Sequence, residues 1–181
     1  MKKLLILLFS LLISFNSYGE VKLDFSSSIF CNVSHKIQVR NGVYYLPNNE
    51  KPYSGNNLCT YSLNGQYFSQ GEIKEGFMHG IWYYWRENGQ QDKILLFQFG
   101  KLVFETKFSY YGSGQIQSEE IFKYGKLDGK RTWWHKNGQI KSKVDWKNGN
   151  KEGKLTWWDE NGQITSERIY KDGECISGDC P

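Results

Sequence analysis

Residues 128–164 read DGKRTWWHKNGQIKSKVDWKNGNKEGKLTWWDENGQI. The block that starts at Asp128 returns almost letter for letter at Glu152, with paired tryptophans followed by Asn-Gly-Gln-Ile. Between the blocks the residues alternate. Ile140, Ser142, Val144 and Trp146 share one parity, and Lys141, Lys143, Asp145 and Lys147 the other. A period of two belongs to a strand with one face buried. Asn137-Gly138 and Asn161-Gly162 read as hairpin turns, because both residues tolerate positive φ. The stretch therefore predicts a short strand, an Asn-Gly turn, a longer strand and a Gly-bounded turn back.

Working outward, the same unit recurs. HGIWYYWRENGQ starts at His79, ETKFSYYGSGQI at Glu105, and NLCTYSLNGQY at Asn57. The anchoring glycines Gly65, Gly89, Gly114, Gly138 and Gly162 are 24, 25, 24 and 24 residues apart. A second glycine follows at Gly76, Gly100, Gly125, Gly149 and Gly173, and a third at Gly80, Gly129 and Gly153. Thirteen of the nineteen glycines thus fill three columns, which makes them turn positions rather than flexible linkers. A lone hairpin cannot cover its apolar face, so the copies must stack on one another. The expected fold is all-β: an elongated antiparallel meander of stacked hairpin repeats, forming a single-layer twisted sheet with capped ends. Ten strands at about 4.8 Å spacing make a sheet ~45–50 Å long. In the third copy Glu105 replaces the leading glycine and Ser109 a bulky residue, which predicts a bend or irregular turn there.

The flanks divide the chain further. Lys2 and Lys3 precede an apolar run from Leu4 to Phe15, and Ser17-Tyr18-Gly19 places small residues before Glu20. This pattern reads as a Sec-type signal peptide over 1–19, and a run of about a dozen residues is shorter than the ~20 that span a bilayer. Residues 20–52 form an N-terminal cap with a partial repeat entering at Asn41-Gly42, residues 53–174 the repeat array, and residues 175–181 a C-terminal cap. The chain of 181 residues carries a net charge of +4, and losing Lys2 and Lys3 leaves +2. That balance does not point to nucleic acid or to an anionic membrane. Four cysteines in an exported chain read as disulfides. Ser177-Gly178 can turn Cys175 back onto Cys180, and Cys31 and Cys59 then pair by elimination. No CxxC is present and His79 and His135 are isolated, so neither a metal nor another cofactor is expected.

The aromatic columns carry the functional reading. Tyr61, Trp85, Tyr110, Trp134 and Trp158 stand four residues before the anchoring glycines and read as the packing spine of the sheet. One residue earlier stand Tyr84, Trp133 and Trp157, on the opposite face, where exposed aromatics would anchor a protein partner or stack on sugar rings. Lys130, Lys136, Lys141, Lys143, Lys147, Lys151 and Lys154 are interleaved with Asp145, Glu152, Asp159 and Glu160, which reads as a solvated mixed face. No nucleophile motif, phosphate loop or dinucleotide fingerprint is present, and Glu119 and Glu120 are strand neighbours that point apart. No catalytic residue is expected.

On Gly80–Trp85, Gly129–Trp134 and Gly153–Trp158, each followed by its Gly-Gln segment, the chain resembles the MORN repeat family in its bacterial variant form. RNGVYYLPNNEKPYSG resembles the segment that often opens such proteins. The resemblance covers about residues 40–174. It implies a non-catalytic scaffold that binds proteins, with lipid binding, and so a membrane-associated scaffold, proposed for some members. Many bacterial members are labelled antitoxins. The signal peptide departs from a cytosolic antitoxin, so the resemblance implies a periplasmic or secreted immunity-like protein. A cell-wall glycan-binding module with exposed aromatic rows is the other reading.

Overall fold

The computed structural model describes residues 29–31 and 37–181. The signal-peptide segment lies outside the described residues. The strands are β1 (Ile29–Cys31), β2 (Gln38–Arg40), β3 (Val43–Tyr45), β4 (Gly55–Tyr61), β5 (Tyr67–Lys74), β6 (Phe77–Trp85) and β7 (Gln91–Gln98). They continue with β8 (Lys101–Tyr110), β9 (Ile116–Lys123), β10 (Lys126–Trp134), β11 (Ile140–Lys147), β12 (Asn150–Trp158), β13 (Ile164–Lys171) and β14 (Glu174–Gly178). Strands β4 to β14 form an antiparallel meander in chain order, and β1 adds to the free edge of β4. The sheet is open, with β1 and β14 as its edges. The fold is the stacked-hairpin meander that the repeat predicts.

The two kinds of turn exchange the roles expected of them. Within the meander, the two-residue turns with positive φ at both positions are Glu75-Gly76, Phe99-Gly100, Tyr124-Gly125, Asn148-Gly149 and Asp172-Gly173. At Asn64-Gly65, Asn88-Gly89, Asn137-Gly138 and Asn161-Gly162 only the glycine has positive φ. These connections are longer, as in Arg86 to Gln90, where Gly89 N donates to Arg86 O at 2.9 Å and Arg86 N to Gln90 O at 2.8 Å. The asparagines serve a different purpose. Asn64 Nδ2 donates to Glu87 O at 2.9 Å and Asn137 Nδ2 to Glu160 O at 2.7 Å, each tying one loop to the next.

A similar tie repeats just inside these loops. Tyr61 Oη donates to Trp85 O at 3.0 Å, Tyr111 Oη to Trp134 O at 2.7 Å, and His135 Nε2 to Trp158 O at 2.8 Å. At the opposite strand ends, Gly100 N donates to Met78 O, Gly149 N to Leu127 O, and Gly173 N to Lys151 O. Both long sides of the sheet are thereby laced, which compensates for the small apolar volume of one layer.

Each hairpin also carries a bulge that the alternation alone does not show. Trp133 pairs with Ser142 but Trp134 with Ile140, so Lys141 is the extra residue. Ile140 therefore lies on the face opposite Ser142, Val144 and Trp146, not beside them. In the first unit Thr60, not Tyr61, holds the register position of Trp85, because Thr60 pairs with Tyr67 as Trp85 pairs with Gln91. That loop holds one residue more, and Tyr61 moves out of the column.

In the third copy the irregularity is a one-residue bulge at Val103, where Leu96 pairs with Phe104 and Phe97 with Leu102. Its strand β8 is the longest, at ten residues, and runs unbroken through Glu105. In the other copies Gly80, Gly129 and Gly153 have φ of 67°, 130° and 73° and sit in wide bulges. A glutamate resists that backbone region, so β8 has only the single extra residue Val103 where those strands shift register by more.

The N-terminal segment does not extend the meander. Asn41 and Gly42 both have positive φ and join β2 to β3 as a separate two-stranded sheet. Tyr44 N donates to Gly76 O at 2.9 Å and Gly76 N to Tyr53 O at 2.7 Å, which seats the segment against the β5–β6 turn. Ile37, Tyr44 and Tyr53 then pack on a core of Ile73, Trp82 and Leu95. A second core, Val144, Leu155 and Tyr170, lies at the other end with Trp146, Trp157 and Cys175 against it. Both edges are short strands with a disulfide, Cys31–Cys59 joining β1 to β4 and Cys175–Cys180 closing the turn after β14. Short, closed edges hinder pairing with other chains.

Candidate functional site

Register fixes which side chains share a face. Tyr84 opposes Lys93, Trp133 opposes Ser142 and Trp157 opposes Ser166. Two and four residues along the same strands come the core side chains Trp82, Leu95, Val144, Leu155 and Tyr170. Both apolar clusters therefore lie on the face of Tyr84, Trp133 and Trp157. The column read as the packing spine, Trp85, Tyr110, Trp134 and Trp158, is half-buried on the other face. There Tyr83 stacks on Trp85 with centroids 5.9 Å apart, and Tyr67 is half exposed.

Tyr84 does not join Trp133 and Trp157. It stacks on Trp82 at 6.4 Å, meets Phe68 edge-on at 5.8 Å and lies under Lys93 Nζ at 5.2 Å. Burial, with Tyr44 near by, pushes its hydroxyl up to about 12. It belongs to the first core, beneath the N-terminal hairpin. Between it and the tryptophans the face is charged. Lys107 pairs with Glu105 at 3.4 Å, Arg131 Nη2 with Glu120 at 2.7 Å, and Ser109 Oγ lies 2.7 Å from Ser118 Oγ. These groups belong mostly to the third copy, whose departure from the repeat separates the two apolar ends.

Trp133 and Trp157 do come together. They line a basin of about 330 Å³ with Trp146, over a floor of Val144 and Leu155. Cations lie over its rings: Arg131 is 4.9 Å from the Trp133 ring, Arg168 4.9 Å from that of Trp157, and Lys151 Nζ 4.7 Å from that of Tyr170. Such stacking holds a charged head flat on an apolar surface while keeping it available to an anion. Lys141, the bulge residue, stands at the rim. Unlike the first core, this one has no hairpin packed over it among the described residues.

Reading the sequence missed Arg131, Arg168 and Trp146 as parts of this site, and placed Lys141 and Lys151 in a solvated mixed face. One signal was present. Arg131 stands two residues from Trp133, and two residues along a strand is the same face. The partner of Trp157, Arg168, lies on the next strand and has no local signature.

The family model described as MORN repeat variant matches residues 127–148 and 151–172. Residues 127–172 carry two adjacent MORN-variant repeats. The two matched units supply β10 to β13, the strands that build the basin. No curated protein matches the chain. Among solved structures, the crystal structure of a GtfA/B complex bound to UDP and GlcNAc is similar, with 11% identity and a TM-score of 0.26. The alignment covers 76% of this chain and 27% of that one, so the chain spans little more than a quarter of its length. Similarity at that score carries no argument about binding.

Proposed function

We propose that this MORN-variant protein is an exported, non-enzymatic scaffold that binds another protein through the Trp133–Trp157 face, in the manner of an immunity or antitoxin-like protein. The observation that carries the reading is the basin itself. Three tryptophans and two aliphatic side chains form an apolar patch bordered by cations, with no hairpin of the described chain packed over it. Aromatic and arginine side chains grouped in this way are the composition of interface anchors. Two disulfides fit an oxidising compartment.

The test is recovery of a stoichiometric complex from the periplasm with a tagged mature chain, repeated with Trp133→Ala combined with Trp157→Ala. The double variant is expected to weaken the complex at least about a hundredfold, since each anchor contributes roughly 2 kcal/mol or more. An undiminished complex with a folded double variant removes this face from the function. Sedimentation with purified cell wall separates the glycan reading, because a protein-only binder stays in the supernatant.

A further inference from the structure

The basin leaves an unusual set of polar atoms unpaired. Among the described residues, buried side-chain atoms without a hydrogen-bond partner are Trp133 Nε1, Trp146 Nε1, Arg131 Nε, Arg168 Nε, Ser166 Oγ and, elsewhere, His79 Nδ1. The first five share one face of β10 to β13. Trp133 opposes Ser142 and Arg131 opposes Val144, while Ser166 opposes Trp157 and Arg168 opposes Leu155. Four of the five are N–H groups that only donate. A buried donor without an acceptor is unfavourable, so such a concentration marks a place where acceptors arrive from outside.

Charge points the same way. Arg131, Lys141 and Lys151 line the basin, and no carboxylate does. Glu120 at its border is already taken by Arg131 Nη2, which leaves Arg131 Nε unpaired. The missing complement is an anion rich in acceptors. A sugar fits poorly, because its hydroxyls bring as many donors as acceptors to a wall that offers almost only donors. A bare phosphate leaves the Val144–Leu155 floor uncovered. An extended peptide satisfies all three demands, since its carboxylates meet the cations, its main-chain carbonyls meet the indoles and an apolar side chain covers the floor.

We propose that the basin seats an extended, carboxylate-rich segment of the partner protein, with acidic side chains on Arg168 and Lys151 and carbonyl oxygens on the indole N–H groups of Trp133 and Trp146. This deepens the protein-binding reading and rests on it. The guanidinium groups stacked on Trp133 and Trp157 act as covers. A carboxylate that draws each one toward itself opens the donors beneath.

The experiment uses the ¹⁵N-labelled mature chain and three probes: a synthetic peptide alternating Asp or Glu with Leu or Val, its Asn/Gln counterpart, and chitotriose. The acidic peptide is expected to move the indole resonances of Trp133 and Trp146 downfield and leave that of Trp85 in place. Affinity should fall at least about tenfold with added salt, as screening of exposed charge requires, and about tenfold in Arg168→Gln with Lys151→Gln. Equal shifts from the amide peptide or from chitotriose overturn the proposal, as does silence of both indoles at millimolar acidic peptide. A recovered partner complex that the acidic peptide fails to displace overturns the proposal and leaves the protein-binding reading standing. Basin shifts with the acidic peptide alone support the proposal whether or not a partner complex is recovered from the periplasm.

Discussion

Gly71→Ala is expected to destabilise the protein by about 3 kcal/mol, although alanine is the better strand former. Gly71 lies on β5 in a backbone conformation open to any residue, so the usual expectation is a small gain from a stiffer unfolded chain, about 0.4–1 kcal/mol. Sterics reverse the sign. A Cβ at this position would fall 2.2 Å from Trp82 Cδ2 and 2.4 Å from Cε2. Trp82 cannot move aside cheaply. It is only 4% exposed, it packs on Ile73 and Leu95, and its Nε1 donates to Glu72 O at 3.1 Å. Shifting the indole gives up that bond and part of the core that the N-terminal hairpin covers. Urea denaturation of Gly71→Ala, Trp82→Leu and the double variant checks this. In the Trp82→Leu background the alanine should cost less than about 0.5 kcal/mol, because the overlap has gone. An equal cost in both backgrounds contradicts the stated cause.

Removing the Cys31–Cys59 disulfide is expected to cost ~3.5 kcal/mol, against ~2 kcal/mol for Cys175–Cys180, by the chain-entropy relation. The order follows from loop length, with sequence separations of 28 and 5. Cys31 and Cys59 also face each other across β1 and β4, so the bond holds the edge strand. Cys59 is only 4% exposed, and its replacement opens the core under the hairpin. Cys31→Ser with Cys59→Ala, compared with Cys175→Ser and Cys180→Ser in parallel denaturant titrations, measures the difference. A larger loss from the C-terminal pair contradicts the ranking. Loss of β1 also bares the edge of β4, so the N-terminal variant should aggregate at lower concentration.

Repeat length and meander topology were legible because each is carried by a column of glycines whose spacing hardly drifts; the ten strands expected fall short of the twelve in the sheet, which β14 and β1 complete at its two ends. Both disulfides were legible because Ser177-Gly178 left a single remaining pair. Which face is the core was not. Trp133-Trp134 and Trp157-Trp158 put one tryptophan on each face, so aromatic content cannot decide between them. The decision comes from the residues two and four positions away, Val144, Leu155 and Tyr170, and from the bulge at Lys141 that moves Ile140 across the sheet. Tyr84 had the same column position as Trp133 and Trp157, yet the hairpin of residues 37–53 draws it into a separate core. A contact between elements so far apart leaves no mark in local periodicity. The asparagines of the Asn-Gly pairs were misread for a related reason. Asn64 and Asn137 bond through Nδ2 to the neighbouring repeat while each Oδ1 accepts within its own loop, whereas turn statistics describe only the residue's own backbone.

The most direct test of the working face is site-specific photocrosslinking to the recovered partner from two positions two residues apart. A photoreactive side chain at Lys141 stands at the rim of the basin, and one at Lys143, which pairs with Thr156, lies on the opposite face. The expected result is a covalent adduct from position 141 and none from position 143. Adducts of equal yield from both, or from position 143 alone, would contradict the assignment of the Trp133–Trp146–Trp157 face to binding.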